Sequence, residues 1–284
     1  MNPELNLSIL LPTSIVSDAS SLRQKTTKIG QIGRSLAIFR AREIIVYNDE
    51  PESSDQDSES KLVTTILRYL DTPQYLRKEL FPKMKELKYA GLLPPLRAPH
   101  HPLKNERYSE GDYREAVVTD VTREGSILNI GLEEDGFTED KLELGERLTV
   151  RLGEKKGKGN RRTVFPISKD EISDYWGFRV DSTENLRKAL SKAITEYFIG
   201  TSRYGQNLYE VVEGIKRNSP DSVAVAFGGP YKGLFEICEG QGMDPEEEFD
   251  VIVNTIPGQG VETVRTEEAL TATLALINVL IRRS

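Results

Sequence analysis

Phe227-Gly-Gly-Pro-Tyr-Lys-Gly233 and Val251-Ile-Val-Asn-Thr-Ile-Pro-Gly-Gln-Gly-Val-Glu-Thr-Val-Arg-Thr-Glu-Glu-Ala-Leu270 share one grammar. In each, a short run rich in β-branched residues (Val223 to Phe227; Val251 to Val253) stops at Gly and Pro, a polar loop follows, and a helical pattern begins. The reading is strand, loop, helix, twice, which predicts an open parallel α/β sheet. Such sheets bind ligands in crevices beyond the carboxyl ends of their strands. Glycine there admits a ligand close to the backbone and lets amides point at it. Two such loops on nearby strands can enclose one small molecule. The alternative is an ordinary strand-to-helix turn in the first loop and a well-capped helix entry in the second.

The same grammar runs outward from these loops. Leu5 to Leu11 reads as a first strand, Ser20 to Ala41 as a helix interrupted by glycines, and Glu43 to Tyr47 as a second strand. That order fits a right-handed parallel unit. Asn48 to Ser60 is acidic, Ser-rich and reads as a mobile loop; Lys61 to Leu70 is helical, and Pro73 can start a further helix. Four prolines within Leu92 to Pro102 make a stiff connector. After Ser168, strands are expected at Trp176 to Val180 and Tyr197 to Gly200, with Ser182 capping a helix that runs to Ala193. Helices follow at Gln206 to Arg217, near 231 to 239, and from an N-cap at Thr266 to Ile281.

Between these halves the pattern changes. Arg114 to Val121, Ser126 to Leu132, Glu146 to Leu152 and Arg161 to Ile167 are short β-rich runs with Gly- or charge-rich turns, which suit a five-stranded barrel. Residues 151 to 162 carry six positive charges and one negative. That turn reads either as an RNA contact or as a solvated hairpin tip.

Composition excludes several classes. The net charge of −7 does not announce a nucleic-acid binder, although a local basic face can still meet phosphates. A single cysteine, Cys238, excludes an intramolecular disulfide and fits a reducing compartment. No apolar run is long enough for a spanning helix, and no signal peptide is apparent, so the expected location is cytoplasmic. Gly258-Gln-Gly260 begins like a dinucleotide fingerprint but sits at the last strand and closes on Thr263, and no phosphate-binding GxxxxGK[ST] exists. His100 and His101 are adjacent in a Pro-rich loop without a Cys cluster; they suit a turn or a substrate contact, and no metal is expected. Cys238, in Leu-Phe-Glu-Ile-Cys-Glu, lies in an apolar and acidic setting that raises a thiol pKa, and it reads as packing.

The two Gly-containing loops, with Asp71-Thr-Pro-Gln-Tyr-Leu-Arg-Lys78, Tyr89-Ala-Gly-Leu-Leu-Pro-Pro-Leu96 and Ala98-Pro-His-His101, resemble the SPOUT superfamily, methyltransferases whose C-terminal segment is tied in a trefoil knot. Within it the chain resembles the archaeal and eukaryotic branch with a small barrel inserted in the knotted domain, and the resemblance covers nearly the whole chain. It implies a parallel-sheet α/β knot domain from residues 1–104 and 169–284, with an OB-like all-β domain at 105–168. It implies S-adenosylmethionine as methyl donor, S-adenosylhomocysteine as product, and a base of ribosomal RNA as acceptor. Homodimerisation through the knot region follows from the same likeness.

By residue-by-residue match, Gly228, Gly229 and Pro230 would contact the cofactor from the first loop, with Ile256, Gly258, Val261, Thr263 and Val264 lining it from the second. Arg34 falls where such enzymes often carry an arginine on the first helix; Glu262 and Arg265 would serve as proton acceptor and anchor, against the plain reading of a surface salt bridge. Lys155, Lys156, Lys158, Arg161 and Arg162 are the candidate RNA contacts. Without a cysteine nucleophile, transfer goes to nitrogen or oxygen, with uridine N3 a candidate. The rival readings are a non-catalytic RNA-binding or ribosome-assembly factor that keeps the fold, and a small-molecule enzyme.

Overall fold

The computed structural model describes residues 5–50, 55–102, 107–155, 160–218 and 221–281. Through these the chain runs β1 (Asn6–Pro12), α1 (Leu22–Ile38), β2 (Glu43–Tyr47), α2 (Gln56–Asp71), α3 (Arg77–Leu80), β3 (Tyr113–Val121), β4 (Ser126–Asn129), β5 (Asp135–Thr138), β6 (Arg147–Lys155) and β7 (Arg161–Ile167). It continues through β8 (Arg179–Thr183), α4 (Leu186–Lys192), β9 (Phe198–Asn207), α5 (Leu208–Asn218), β10 (Ser222–Ala226), α6 (Leu234–Gly240), α7 (Pro245–Glu248), β11 (Val251–Asn254) and α8 (Thr266–Leu280). Two compact units result: one from Met1–Leu70, Glu86–Pro94 and Phe178–Ser284, the other from Asp71–Lys85 and Pro95–Gly177. The barrel strands run from Tyr113 to Ile167. Among the described residues, no helix is long and apolar enough to cross a membrane.

The first unit is a six-stranded sheet in the order β11-β9-β10-β1-β2-β8, with every neighbouring pair parallel. Leu7, Ile9, Leu10 and Leu11 of β1 are all buried, as a central parallel strand covered on both faces requires. The chain steps from β1 to β2 in one direction along the sheet and from β10 to β11 in the other. The order therefore reverses between β10 and β1, where crevices open in doubly wound sheets. Ile29, Ile32 and Leu36 give α1 its buried face, as their spacing predicts.

The second unit is a closed barrel, β3-β4-β5-β7-β6, in which β5 pairs parallel with β7 and the other pairs are antiparallel. Counted from its own first strand the order is 1-2-3-5-4, a five-stranded Greek-key barrel. Ala116, Val118, Leu128, Ile130, Val150, Leu152 and Val164 fill its interior.

Several local expectations change. Residues 56–60 are not loop: α2 starts at Gln56, and Asp57 and Glu59 sit in its first turn, where the helix dipole favours acids. The strand expected at 176–180 begins only at Arg179, because Gly177 has φ +78° and breaks the extension. Ser182 belongs to that strand, and Asn185 caps α4 instead, its side chain accepting from the Lys188 amide at 2.8 Å. After Pro73 a short 3-10 turn, Gln74–Leu76, precedes α3. Thr266 is the first residue of α8 rather than its cap, and Glu268 reaches back to the Arg265 amide at 3.0 Å.

Both histidines of the second unit are tied to one carbonyl. His100 and His101 place Nε2 at 2.9 and 3.0 Å from the Asp71 oxygen, and since a carbonyl only accepts, each Nε2 donates. His100 is buried, so the turn reading of these residues describes their contacts. Burial, then His100 beside it, pushes the His101 pKa down from 6.5 to about 4. The folded state thus resists a proton that the unfolded chain accepts below about 6.5. Stability is complete above that value and falls as pH drops towards 4. We expect about 2 kcal/mol less stability at pH 5 than at pH 7.5 from this group. In melts compared at the two pH values, His101→Gln, which keeps a donor and cannot titrate, should show the smaller loss.

Candidate active site

The cleft lies in the first unit, beyond the carboxyl ends of β9, β10 and β11, and encloses about 280 Å³. Three chain segments wall it: Thr201 to Tyr204, Phe227 to Glu236, and Val253 to Val264 with Thr266 and Ala269. Each wall has a local cause.

Strand β10 ends at Ala226, and the buried Phe227 that follows gives its carbonyl to the Tyr47 hydroxyl at 2.5 Å. The chain then turns tightly, with the Gly229 amide on the Lys232 carbonyl at 2.8 Å, and Glu236 caps the start of α6 by accepting from the Gly233 amide at 2.5 Å. At the end of β11, Asn254 Oδ1 accepts from the Ile256 amide at 2.9 Å, while its Nδ2 donates to the Arg203 carbonyl at 3.0 Å. Gln259 Nε2 closes the loop on the Val261 and Glu262 carbonyls at 2.9 and 3.0 Å. The two Gly-containing loops meet where Thr266 Oγ1 donates to the Gly228 carbonyl at 3.2 Å.

The third wall comes from a break in register. Ile252 pairs with Gly200 and Val253 with Gln206, so residues 201–205 leave the ladder and bulge outward. Thr201 Oγ1 pins the start of the bulge to the Ala226 carbonyl at 2.8 Å, and Arg203 donates to the Glu262 carbonyl at 3.3 Å. The bulge is the part of the site that the sequence reading missed. Its only local sign is a pair of glycines, Gly200 and Gly205, bracketing Thr-Ser-Arg-Tyr.

Of the residues matched to cofactor binding, Gly228, Gly229, Pro230, Ile256, Thr263 and Val264 line the cleft; Gly258 and Val261 lie in the same loop outside its lining, and Val261 is 59% exposed. Glu262 also lines it. Arg265 sits at the N-cap of α8 and Arg34 half-buried on α1, and neither is among the lining residues. Cys238 is a buried free thiol on α6, its pKa pushed up to about 11 by burial and then by Glu248 and Asp244. A thiol held neutral is no nucleophile.

On the barrel, Lys155 and Arg162 share the carboxylate of Glu134, at 3.2 and 3.1 Å. Arg161 is exposed, 6.0 Å from the Phe137 ring centroid. Lys156 and Lys158 lie outside the described residues.

The cleft has the makings of a nucleoside-sized site. A Cβ on Gly228 would stand 2.7 Å from the Leu234 amide nitrogen, so the floor admits no side chain and presents peptide groups. Phe227, Leu234, Ile256 and Val264 add apolar wall. Fold and site together define an α/β domain with a cleft of small-molecule size over the ends of three adjacent parallel strands, and a five-stranded barrel in the same chain.

The profile of the "Putative RNA methyltransferase" family matches residues 6–277, and the chain belongs to that family. A Drosophila melanogaster relative named 28S rRNA (uridine-N(3))-methyltransferase is 35% identical over 97% of this chain and 62% of its own length, so the chain spans less than two thirds of it. A Homo sapiens relative of the same name is 34% identical over 95% of this chain and 77% of its own. A Halobacterium salinarum protein named only as uncharacterized is 34% identical over 96% of this chain and 98% of its own.

Proposed function

We propose that the chain transfers a methyl group from S-adenosylmethionine to a base of ribosomal RNA, with N3 of uridine as the acceptor atom. The observation that carries the reading is the peptide-walled cleft over β9, β10 and β11, in a chain of the RNA methyltransferase family. The names of the Drosophila and human relatives support the acceptor.

Gly228, Gly229 and Pro230 would hold the donor from one side, and Ile256, Thr263 and Val264 from the other. When bound, the donor supplies an electrophilic methyl on a sulfonium. What remains for the protein is to align the acceptor, exclude water and remove the N3 proton. Glu262, on the cleft wall, is the proton acceptor in this reading. Arg265 and Arg34 anchor RNA phosphate.

The C-terminal segment is, in the same proposal, the tied part of a trefoil knot. After β11 at one edge of the sheet, the chain returns to Gly228 through Thr266, and Thr271 of α8 then meets Ser35 of α1 at 2.8 Å. Exposed Ile38 on α1 and Val279 on α8 support a homodimer through this region.

Calorimetry with S-adenosylmethionine, followed by mass spectrometry of an rRNA fragment treated with the enzyme, tests the reading. The expected product carries one methyl on a uridine, and Cys238→Ala retains the activity. No donor binding would leave the non-catalytic RNA-binding reading in its place. Loss of turnover in Cys238→Ala, with donor binding intact, would point to attack through sulfur.

A further inference from the structure

The outer face of the barrel carries a feature that the basic turn does not explain. Along β7, Val164 points inward and is 1% exposed, so Thr163 and Phe165 point outward. Phe165 is 44% exposed, the one phenylalanine among the exposed large apolar side chains of the described residues. On β6 its partner in register is Arg151, whose guanidinium carbon lies 5.0 Å from the ring centroid. On β5, Phe137 pairs with Thr163, which puts the two phenylalanines on one face, one strand and two residues apart. Arg161 lies against the Phe137 ring.

Gly153 completes the arrangement. A Cβ there would stand 2.8 Å from Phe165 Cε2, so the ring rests on bare β6 backbone. The result is two aromatic rings on the outer wall of the barrel, each with an arginine guanidinium over it. Asp135 pairs in register with Arg161 and offsets part of its charge; Arg151 stands opposite a phenyl ring.

We propose that this face of β5, β7 and β6 is a stacking platform for single-stranded RNA, with Phe165 and Phe137 under successive bases and Arg151 and Arg161 on the adjoining phosphates. Base-on-aromatic stacking tolerates any sequence and needs unpaired bases, which a duplex does not offer. The charge favours RNA over a second copy of the chain, because two such faces would each bring Arg151 and Arg161 to the contact, whereas phosphates offset their charge. The platform rests on the RNA-substrate reading and extends it to Phe165 and Phe137, which the basic turn at 151–162 does not include.

The test uses the full chain and a fluorescent uridine oligomer of about 12 nucleotides, a length within the span one such barrel engages. Phe165→Ala is expected to weaken binding by roughly tenfold or more, and Phe165→Tyr to preserve it. Phe165→Leu keeps apolar bulk without a flat face and should weaken it as well. Arg151→Ala should lower the salt slope by about 0.7. A duplex of the same length should bind no more weakly to Phe165→Ala than to the parent. Unchanged affinity in Phe165→Ala and Phe165→Leu, both melting as the parent does, overturns the platform. So does a parent chain that binds S-adenosylmethionine but no oligomer, an outcome that leaves the donor site standing. A substitution that abolishes self-association without touching RNA affinity would assign the face to a second copy and overturn the proposal too.

Discussion

Gly228→Ala should cost the protein its methyl donor, with affinity for S-adenosylmethionine falling about 100-fold or more, roughly 3 kcal/mol. The new Cβ would meet backbone on the far side of the turn: the Leu234 nitrogen at 2.7 Å, the Gly233 carbonyl carbon at 2.9 Å and the Gly233 Cα at 3.0 Å. None of these can rotate away. Relief requires moving the start of α6, which is the wall of the cleft. Gly229→Ala makes a different clash, with Ser14 Oγ at 2.3 Å and Asp49 Oδ2 at 3.3 Å, and a hydroxyl is easily removed. Ser14→Ala should therefore rescue much of Gly229→Ala and nothing of Gly228→Ala. Gly258→Ala meets open space and bears only the strain of φ +69°, about 1–2 kcal/mol. Its donor affinity should stay near the parent's. Calorimetry on the three glycine variants and on the two double variants with Ser14→Ala, with a melt of each, decides the matter. Parent-like binding by Gly228→Ala would mean that the turn from Gly228 to Gly233 does not hold the donor.

Much of this was legible from the chain alone because its signals are local. Leu7 to Leu11, Ile44 to Val46 and Val223 to Phe227 are short, largely apolar runs bounded by Gly, Pro or polar residues, and their length and β-branched content mark them as buried parallel strands. The two Gly-containing loops were readable for the same reason. What escaped depends on partners distant in sequence. Strand β5 is only Asp-Gly-Phe-Thr, and both Asp and Gly disfavour strands; it exists because β4 and β7 pair with it on either side. The bulge at 201–205 follows from a register slip against β11, about which residues 201–205 say nothing themselves. Of the matched site residues, Gly228, Gly229, Pro230, Ile256, Glu262, Thr263 and Val264 line the cleft, while Gly258 and Val261 stand in the same loop outside its lining. Arg34 and Arg265 were assigned by position in a pattern, and the lining of the cleft does not include them.

Asp71→Ala should be the most destabilising single substitution in the barrel unit, by about 3–5 kcal/mol. Its carboxylate is 2% exposed and meets Arg147 at 2.9 Å, His100 at 3.1 Å and Lys169 at 3.9 Å. Arg147 and Lys169 are also held by Glu115, at 2.7 and 3.5 Å, and Glu115 takes further bonds from Thr149 and Trp176 at 2.7 and 2.9 Å. Two carboxylates thus face two cationic side chains, and deleting one acid leaves a buried excess of positive charge. Removing a partner from such a pair costs far more than the pair itself contributes, because the remaining charge has no water to turn to. Burial alone would raise the Asp71 pKa; Lys169, His100 and Arg147 outweigh it and hold the group well below the usual carboxylate range. Glu115 is lowered against its burial in the same way, by Lys169 and Arg147. A depressed folded pKa means the stabilisation is complete above the unfolded value near 4 and disappears as pH falls below it. Asp71→Asn, which keeps the volume, should therefore be closest to the parent in the acid limb and furthest from it at neutral pH. Adding Arg147→Met to Asp71→Ala should recover part of the loss, since it removes the orphaned cation. If both single variants and the double melt within 1 kcal/mol of the parent at pH 7, the network is solvated rather than buried, and the barrel is held by its apolar interior alone.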